Sequence, residues 1–211
     1  MKVEKRQNAT WRAAVVVAHP DDETLWVGGT MLLHPEWSWE VVTLCRASDP
    51  DRAPRFARAL ERLGASGRLG DLDDGPDQAP LDASIVEKTV LSLLSATCYN
   101  FIVTHGDRGE YTRHRRHEET ARAVMSLWRS GRLRADALWQ FAYDDAEGAQ
   151  LPRAVEHADR CTALEDNVWA AKYAVITEVY GFAPDSFEAR TTPHAEAFWC
   201  FKMPANSGGV S

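Results

Sequence analysis

Residues 13–18, AAVVVA, form an unbroken apolar run that stops at His19-Pro20-Asp21-Asp22. A strand with one wet face alternates apolar and polar residues. A short continuous run rich in valine instead predicts a strand buried on both faces, as in parallel sheets. Such a strand needs a layer on each side, and the rest of the chain supplies candidates. Residues 24–33 read as a helix, with Asp21 or Asp22 as its cap. Gly28 and Gly29 are poor helix formers, and their presence predicts close approach of that helix to the sheet. A second strand is expected at 39–45 and a helix at 51–63 that ends at Gly64 as its C-cap. A Gly-, Asp- and Pro-rich loop covers 67–80, followed by a helix at 81–96 and a strand at 100–104. A polar loop runs from 105 to 117. Beyond it come a helix at 118–129, a strand at 137–143, a helix at 164–179 and a strand at 196–201.

Strands alternating with helices imply βαβ units. The expected fold class is α/β, a three-layer sandwich with a Rossmann-like, mostly parallel sheet. The 211 residues suit one domain. Its expected limits are residues 13–203, with an N-terminal extension at 1–12 and a flexible tail at 204–211.

Charge narrows the partners. With 24 Lys and Arg against 31 Asp and Glu, the net charge is -7. No large basic surface for nucleic acid or anionic lipid is expected. No run approaches the ~20 apolar residues of a membrane span. The polar start MKVEKRQNATWR has neither the long apolar stretch nor the cleavage site of a secretory signal. The expectation is a cytoplasmic protein whose partner is a small molecule. Cys45, Cys98, Cys161 and Cys200 are far apart and form no CxxC. This speaks against a cysteine zinc site and for free thiols in a reducing compartment.

Two polar clusters follow predicted strands, and in open α/β sheets ligands bind beyond the carboxyl ends of strands. In the first, a turn stiffened by Pro20 can bring the His19 imidazole and the Asp22 carboxylate to one side. Asp21 lies between them and points elsewhere. Two ligands beside a free carboxylate suit hydrolysis, in which the spare carboxylate takes a proton from water. Taken alone, without the preceding strand and histidine, Pro-Asp-Asp-Glu reads first as a capped helix start. In the second cluster, THGDRGEYTRHRRHEET, His114 and His117 stand three apart near a helix start. A catalytic site needs three protein ligands and an open position. The competing reading is a solvated loop whose arginines pair with Glu110, Glu118 and Glu119.

AHPDDE after a valine-rich strand, followed closely by GGT, resembles the LmbE-like, PIG-L N-acetylglucosaminyl deacetylase family. The later His-x-x-His is similar to that family's second motif. The resemblance runs from about Ala13 to Glu196. It implies that His19, Asp22 and His117 bind Zn2+ and that Asp21 is the general base. It implies that His114 stabilises the oxyanion or protonates the leaving amine, and that Arg52 contacts substrate. The implied activity is zinc-dependent removal of an N-acyl group, acetyl above all, from an amino-sugar-like substrate or glycosylated small molecule.

Two departures stand out. The family's second motif usually reads His-Pro-Asp-His, whereas this chain has His114-Arg115-Arg116-His117. The aspartate that would orient the first histidine is an arginine, so another group must orient His114. Arg55 stands where the family often carries a glutamate, which points to a different substrate preference. His105 is a candidate support for the ligands or a strand-end histidine bonded to backbone. Arg113 and Arg116, three apart, are expected to share a face, at least one of them reaching an anionic substrate group. Arg115 is expected to face solvent.

Other functions fit parts of this pattern. A metal-dependent hydratase acting on an unsaturated carboxylic acid would use the arginines. A non-haem iron oxygenase also uses two histidines and a carboxylate. A non-catalytic binding protein would have no use for Asp21.

Overall fold

β1 (Arg12–Val17) runs through the middle of a seven-stranded sheet, and residues 13–17 of it are fully buried. The computed structural model describes residues 10–111 and 114–203. After β1 come α1 (Asp22–Leu33), β2 (Ser38–Thr43), α2 (Arg52–Leu63), β3 (Ala65–Leu69), α3 (Ala83–Leu93), β4 (Cys98–Thr104) and α4 (Arg115–Arg129). β5 (Arg134–Phe141) precedes two short strands, β6 (Tyr143–Asp144) and β7 (Arg153–Ala154), which pair with each other. The chain then forms β8 (Arg160–Ala163), α5 (Asp166–Ala174), a π-helical turn (Val175–Val179), α6 (Phe187–Thr191) and β9 (Ala195–Lys202). The expected N-terminal extension, but for its last three residues, and the expected tail lie outside the described residues.

The sheet order is β3-β2-β1-β4-β5-β9-β8. The first five strands are parallel, while β9 and β8 add an antiparallel edge. The architecture is an α/β sandwich, and β1 shows why its sequence does not alternate. Ala13, Val15 and Val17 pack with α1, α2 and the π-helical turn through Trp26, Phe56 and Ile176. Ala14 and Val16 face the other way, toward Val90 of α3 and Val124 and Leu127 of α4. Each face of the strand meets its own core, so neither can be polar.

The helix–sheet approach expected at the glycine pair belongs to Gly29. A Cβ there would lie 2.5 Å from Leu164 Cδ1, whereas one at Gly28 would meet nothing nearer than 3.5 Å. The backbone N–H groups of Gly29 and Thr30 each donate at 2.7 Å to the buried carboxylate of Glu196 on β9. Lys172 of α5 also donates to it at 2.7 Å. GGT and the distant glutamate are thus two halves of one clasp.

Some elements differ from expectation. β3, ASGRL, is a mostly exposed edge strand in part of what reads as loop; its parallel pairing with β2 is made by backbone. β8 is likewise exposed. The helix expected at 164–179 starts at Asp166, because Leu164 N–H bonds to the His194 carbonyl instead. The helix expected from residue 118 starts at Arg115, which matters for the site. α2 ends as expected at Gly64, in the left-handed region at φ 66°. The cysteines are free; Cys45 is buried, Cys200 partly so, and Cys98 and Cys161 are exposed. Among the described residues no helix is long and apolar enough to cross a membrane.

Candidate active site

The strand order reverses between β1 and β4, so the loops leaving these neighbours diverge and open a crevice. His19 follows β1 by two residues and His105 follows β4 directly. The first turn of α4 brings His117 to the same place.

Three atoms meet there. His19 Nδ1 and Asp22 Oδ2 are 3.3 Å apart, His117 Nε2 and Asp22 Oδ2 are 3.4 Å apart, and the two histidine nitrogens are 3.3 Å apart. Four ligands around tetrahedral zinc at ~2.0–2.1 Å are separated by about 3.3–3.4 Å along each edge. The triangle therefore matches one face of such a tetrahedron, and its donors are two imidazole nitrogens and a carboxylate oxygen. Asp22 is held in place by Trp26, whose Nε1 donates to Oδ1 at 3.2 Å. The His19 N–H donates to Asp22 Oδ2 at 2.9 Å.

The far side of each imidazole faces a carboxylate. His117 Nδ1 lies 2.7 Å from Glu110 Oε2, with both side chains wholly buried. His19 Nε2 lies 3.2 Å from Asp74 Oδ1, and Asp74 is held in turn by Arg46 at 2.6 Å. Carboxylates behind ligating histidines fix tautomer and ring orientation. Burial alone would raise the Glu110 carboxyl, but His105 and His117 outweigh it and hold it at about 2. Burial likewise opposes charge on His117, yet Asp22 and Glu110 lift its pKa to about 10. An arriving metal ion displaces that proton.

His105 fulfils both readings of it. Its Nε2 accepts from the Ala18 N–H at 2.9 Å, so its proton sits on Nδ1 and goes to Glu110 Oε2 at 2.8 Å. It braces Glu110 from a backbone anchor.

Asp21 is the N-cap residue of α1, but its side chain makes no capping bond. The backbone there has φ 119°, a conformation rarely tolerated outside glycine. Glu23 stabilises it, for Glu23 Oε2 accepts the Asp21 N–H at 3.0 Å. Its other oxygen takes the Tyr180 and Thr24 hydroxyls at 2.7 and 2.6 Å. The strained turn thus spares the Asp21 carboxylate for the crevice. Burial, with Asp22 beside it, pushes that carboxyl well above the usual carboxylate range. Arg52 opposes this from 3.9 Å, its guanidinium lying over Phe182. Arg55 spans from Asp51 to the Tyr180 carbonyl, away from Asp21.

His114 is the N-cap residue of α4, and its ring stacks on His117 at 4.3 Å and edges His19 at 4.6 Å. Burial and the neighbouring histidines push its pKa down to about 3, so the ring is neutral.

Arg116 corrects the expectation of an anion-binding arginine. Its side chain is 2 % exposed, and each of its three nitrogens bonds to a protein group. It pairs with Glu119 at 2.6 Å and donates to the carbonyls of Asp73 and Ala79 at 2.5 and 2.9 Å. Because α4 starts at Arg115, Arg116 lies on the same helical face as Glu119, against the 73–79 loop. Arg113 lies outside the described residues. Arg115 is exposed, as expected.

His19, Asp21, Asp22, Arg52 and His114 line one cavity of about 420 Å³, with Tyr111 and Phe187 at its apolar side. Tyr111 also lines a larger cavity of about 710 Å³ beside Glu118 and Asp144. The larger space holds none of the three convergent donors. Sequence alone does not reveal these roles of Glu110, Asp74 and Glu23. Glu23 carries the signal of adjacency to Asp21. Glu110 reads in sequence as a partner for the loop's arginines, and nothing local marks Asp74.

This crevice and sheet define an α/β protein with a two-histidine, one-aspartate centre at a topological switch point. No family model matches the sequence. Solved structures share the fold. They include the 4-carboxy-2-hydroxymuconate hydratase from Pseudomonas putida, 17 % identical over 96 % of this chain and 100 % of that one, with TM-score 0.59. The N,N'-diacetylchitobiose deacetylase from Pyrococcus horikoshii is 11 % identical over 92 % of this chain and 85 % of that one, with TM-score 0.65. A zinc-inhibited teicoplanin deacetylase is 14 % identical over 93 % of this chain and 100 % of that one, with TM-score 0.61. The fold is the one found in deacetylases of the LmbE/PIG-L type.

Proposed function

We propose that the protein is a zinc-dependent N-deacetylase that cleaves an acetyl amide on an amino-sugar-like substrate or glycosylated small molecule. One observation carries this reading: three donor atoms spaced for a single tetrahedral ion, with a buried, uncommitted carboxylate beside them. The deacetylases among the fold neighbours support it.

His19, Asp22 and His117 would hold the ion, and the bound ion would polarise the amide carbonyl and acidify water. Asp21, which makes no capping bond and lines the cavity beside the triad, takes the proton from the attacking water. His114 donates its ring N–H to the carbonyl oxygen as that oxygen gains charge. Asp21 then returns the proton to the departing nitrogen as the C–N bond breaks. The products are a carboxylic acid and an amine, and the water is fully accounted for. Arg52 keeps the Asp21 carboxylate directed into the cavity and meets the sugar portion.

A hydratase shares this fold, and hydration of an unsaturated acid needs cations free to bind carboxylate. Of the described arginines near the centre, Arg46 is committed to Asp74 and Arg116 to Glu119 and two carbonyls, while Arg52, whose Nη1 has no hydrogen-bond partner among the described residues, sits 3.9 Å from the Asp21 carboxylate. The cavity also carries Asp21, Asp49, Asp74 and Glu188. This lining favours a neutral, hydroxyl-rich substrate.

The test is to incubate zinc-loaded protein with N-acetylated amino sugars, their glycosides and unsaturated dicarboxylic acids. Released primary amine and acetate are expected, and a chelator should abolish them. Loss of alkene absorbance without amine release would replace this reading with hydration.

A further inference from the structure

The cleanest mismatch between motif and structure is at His114. The position that would carry an orienting aspartate holds Arg116, whose guanidinium is used elsewhere. Another side chain has reached the ring from the 73–79 loop. Gln78 Nε2 lies 3.3 Å from His114 Nε2. The direction of this contact is determined by the other end of the amide. Gln78 Oε1 accepts the Arg115 backbone N–H at 3.2 Å. A backbone N–H must meet an acceptor, so the oxygen faces Arg115 and the NH2 faces His114. An amide NH2 only donates. His114 Nε2 must therefore be the bare nitrogen, and the ring proton sits on Nδ1.

We infer that Gln78 is the positioning residue of His114, holding it as the Nδ1–H tautomer so that it serves as a hydrogen-bond donor and not as a proton source. The inference rests on the deacetylase reading for its catalytic meaning, but the tautomer itself does not depend on it. His114 Nδ1 is buried and has no partner among the described residues. His114 lines the same cavity as Asp21 and Asp22. One nitrogen each of His19, His114 and His117 lies within 4.8 Å of the others. A donor on a ring that lines the cavity beside the triad would be able to meet a substrate carbonyl oxygen as it gains charge.

The architecture around Gln78 fits a device for holding one side chain. Gln78 has φ 42°, in the left-handed region. Arg115 donates from its guanidinium to the Gln78 carbonyl at 2.9 Å, and Arg116 clamps the carbonyls of Asp73 and Ala79 on either side. The two arginines that replace the motif's Pro-Asp thus hold the loop that brings the substitute. An aspartate behind the ring would accept a proton and favour imidazolium. A glutamine amide that donates does the opposite.

The experiment compares wild type with Gln78→Glu and Gln78→Met, each zinc-loaded and 15N-labelled on histidine. The His114 ring is assigned by loss of its signals in His114→Phe. Long-range 1H–15N spectra should show His114 protonated on Nδ1 in wild type. In Gln78→Glu the carboxylate is an acceptor, and the proton should move to Nε2 or occupy both nitrogens. Gln78→Met has neither group and should give a mixture. Zinc content should be one per chain in all three. Turnover should fall about 10²-fold or more in Gln78→Glu with little change in KM, the scale for losing one oxyanion donor. An Nε2–H tautomer in wild type, or an unchanged ring in Gln78→Glu, would overturn the inference. Failure to release amine from any substrate would overturn the deacetylase reading and leave the tautomer result intact.

Discussion

The Nδ1–H of His117 points at Glu110 Oε2 from 2.7 Å, and neither side chain touches solvent. Glu110 is seven residues before His117 and lies in the loop after β4, outside the helix that carries the histidine. The loop therefore aims a helical side chain. Glu110→Gln should weaken zinc binding about 10- to 100-fold, the usual cost of losing a carboxylate behind a ligating histidine. Competition with a chromogenic chelator measures it. Unchanged affinity would mean that packing alone orients His117.

The two neighbouring aspartates should separate binding from chemistry. Asp21→Asn should keep zinc and lose about 10²-fold or more in turnover, since it removes the proton acceptor and preserves size. Asp22→Asn should lose zinc. Metal content by mass spectrometry and initial rates decide the matter; the opposite pattern would exchange the roles of the two carboxylates.

Arg116→Ala should act on stability. It leaves the buried Glu119 carboxylate and two carbonyls without their donor, and breaking a buried pair from one side costs about 3–5 kcal/mol. Denaturant unfolding should show that loss. The ratio of KM values for acidic and neutral substrates should stay as in wild type; a selective rise for the acidic one would restore Arg116 as a substrate contact.

The glycine pair should respond unequally. A Cβ at Gly29 would overlap Leu164, so Gly29→Ala should destabilise by about 1–3 kcal/mol through overpacking. Gly28→Ala meets only ordinary contacts and should be neutral, or stabilising by about 0.5–1 kcal/mol through helix propensity. Thermal unfolding of the two single variants makes the comparison, and equal effects would contradict the packing given for α1.

Much of the fold is legible in local sequence because its signals are local. An unbroken valine run needs two cores, and periodic apolar residues ending at Gly64 need a helix. The edge strands β3 and β8 escape such reading, because their exposed residues carry no pattern and their neighbours supply the pairing. His19, Asp21 and Asp22 share one strand–turn–helix junction, so their spacing alone suggests their proximity. Proximity across the crevice is another matter. Glu110 behind His117, Asp74 behind His19 and Gln78 against His114 are joined by loop conformation and by the reversal of strand order at β1 and β4. The three-residue spacing of Arg113 and Arg116 in the chain makes Arg116 a candidate for substrate contact. The start of α4 at Arg115 decided otherwise, since one turn of helix sets which way a side chain points.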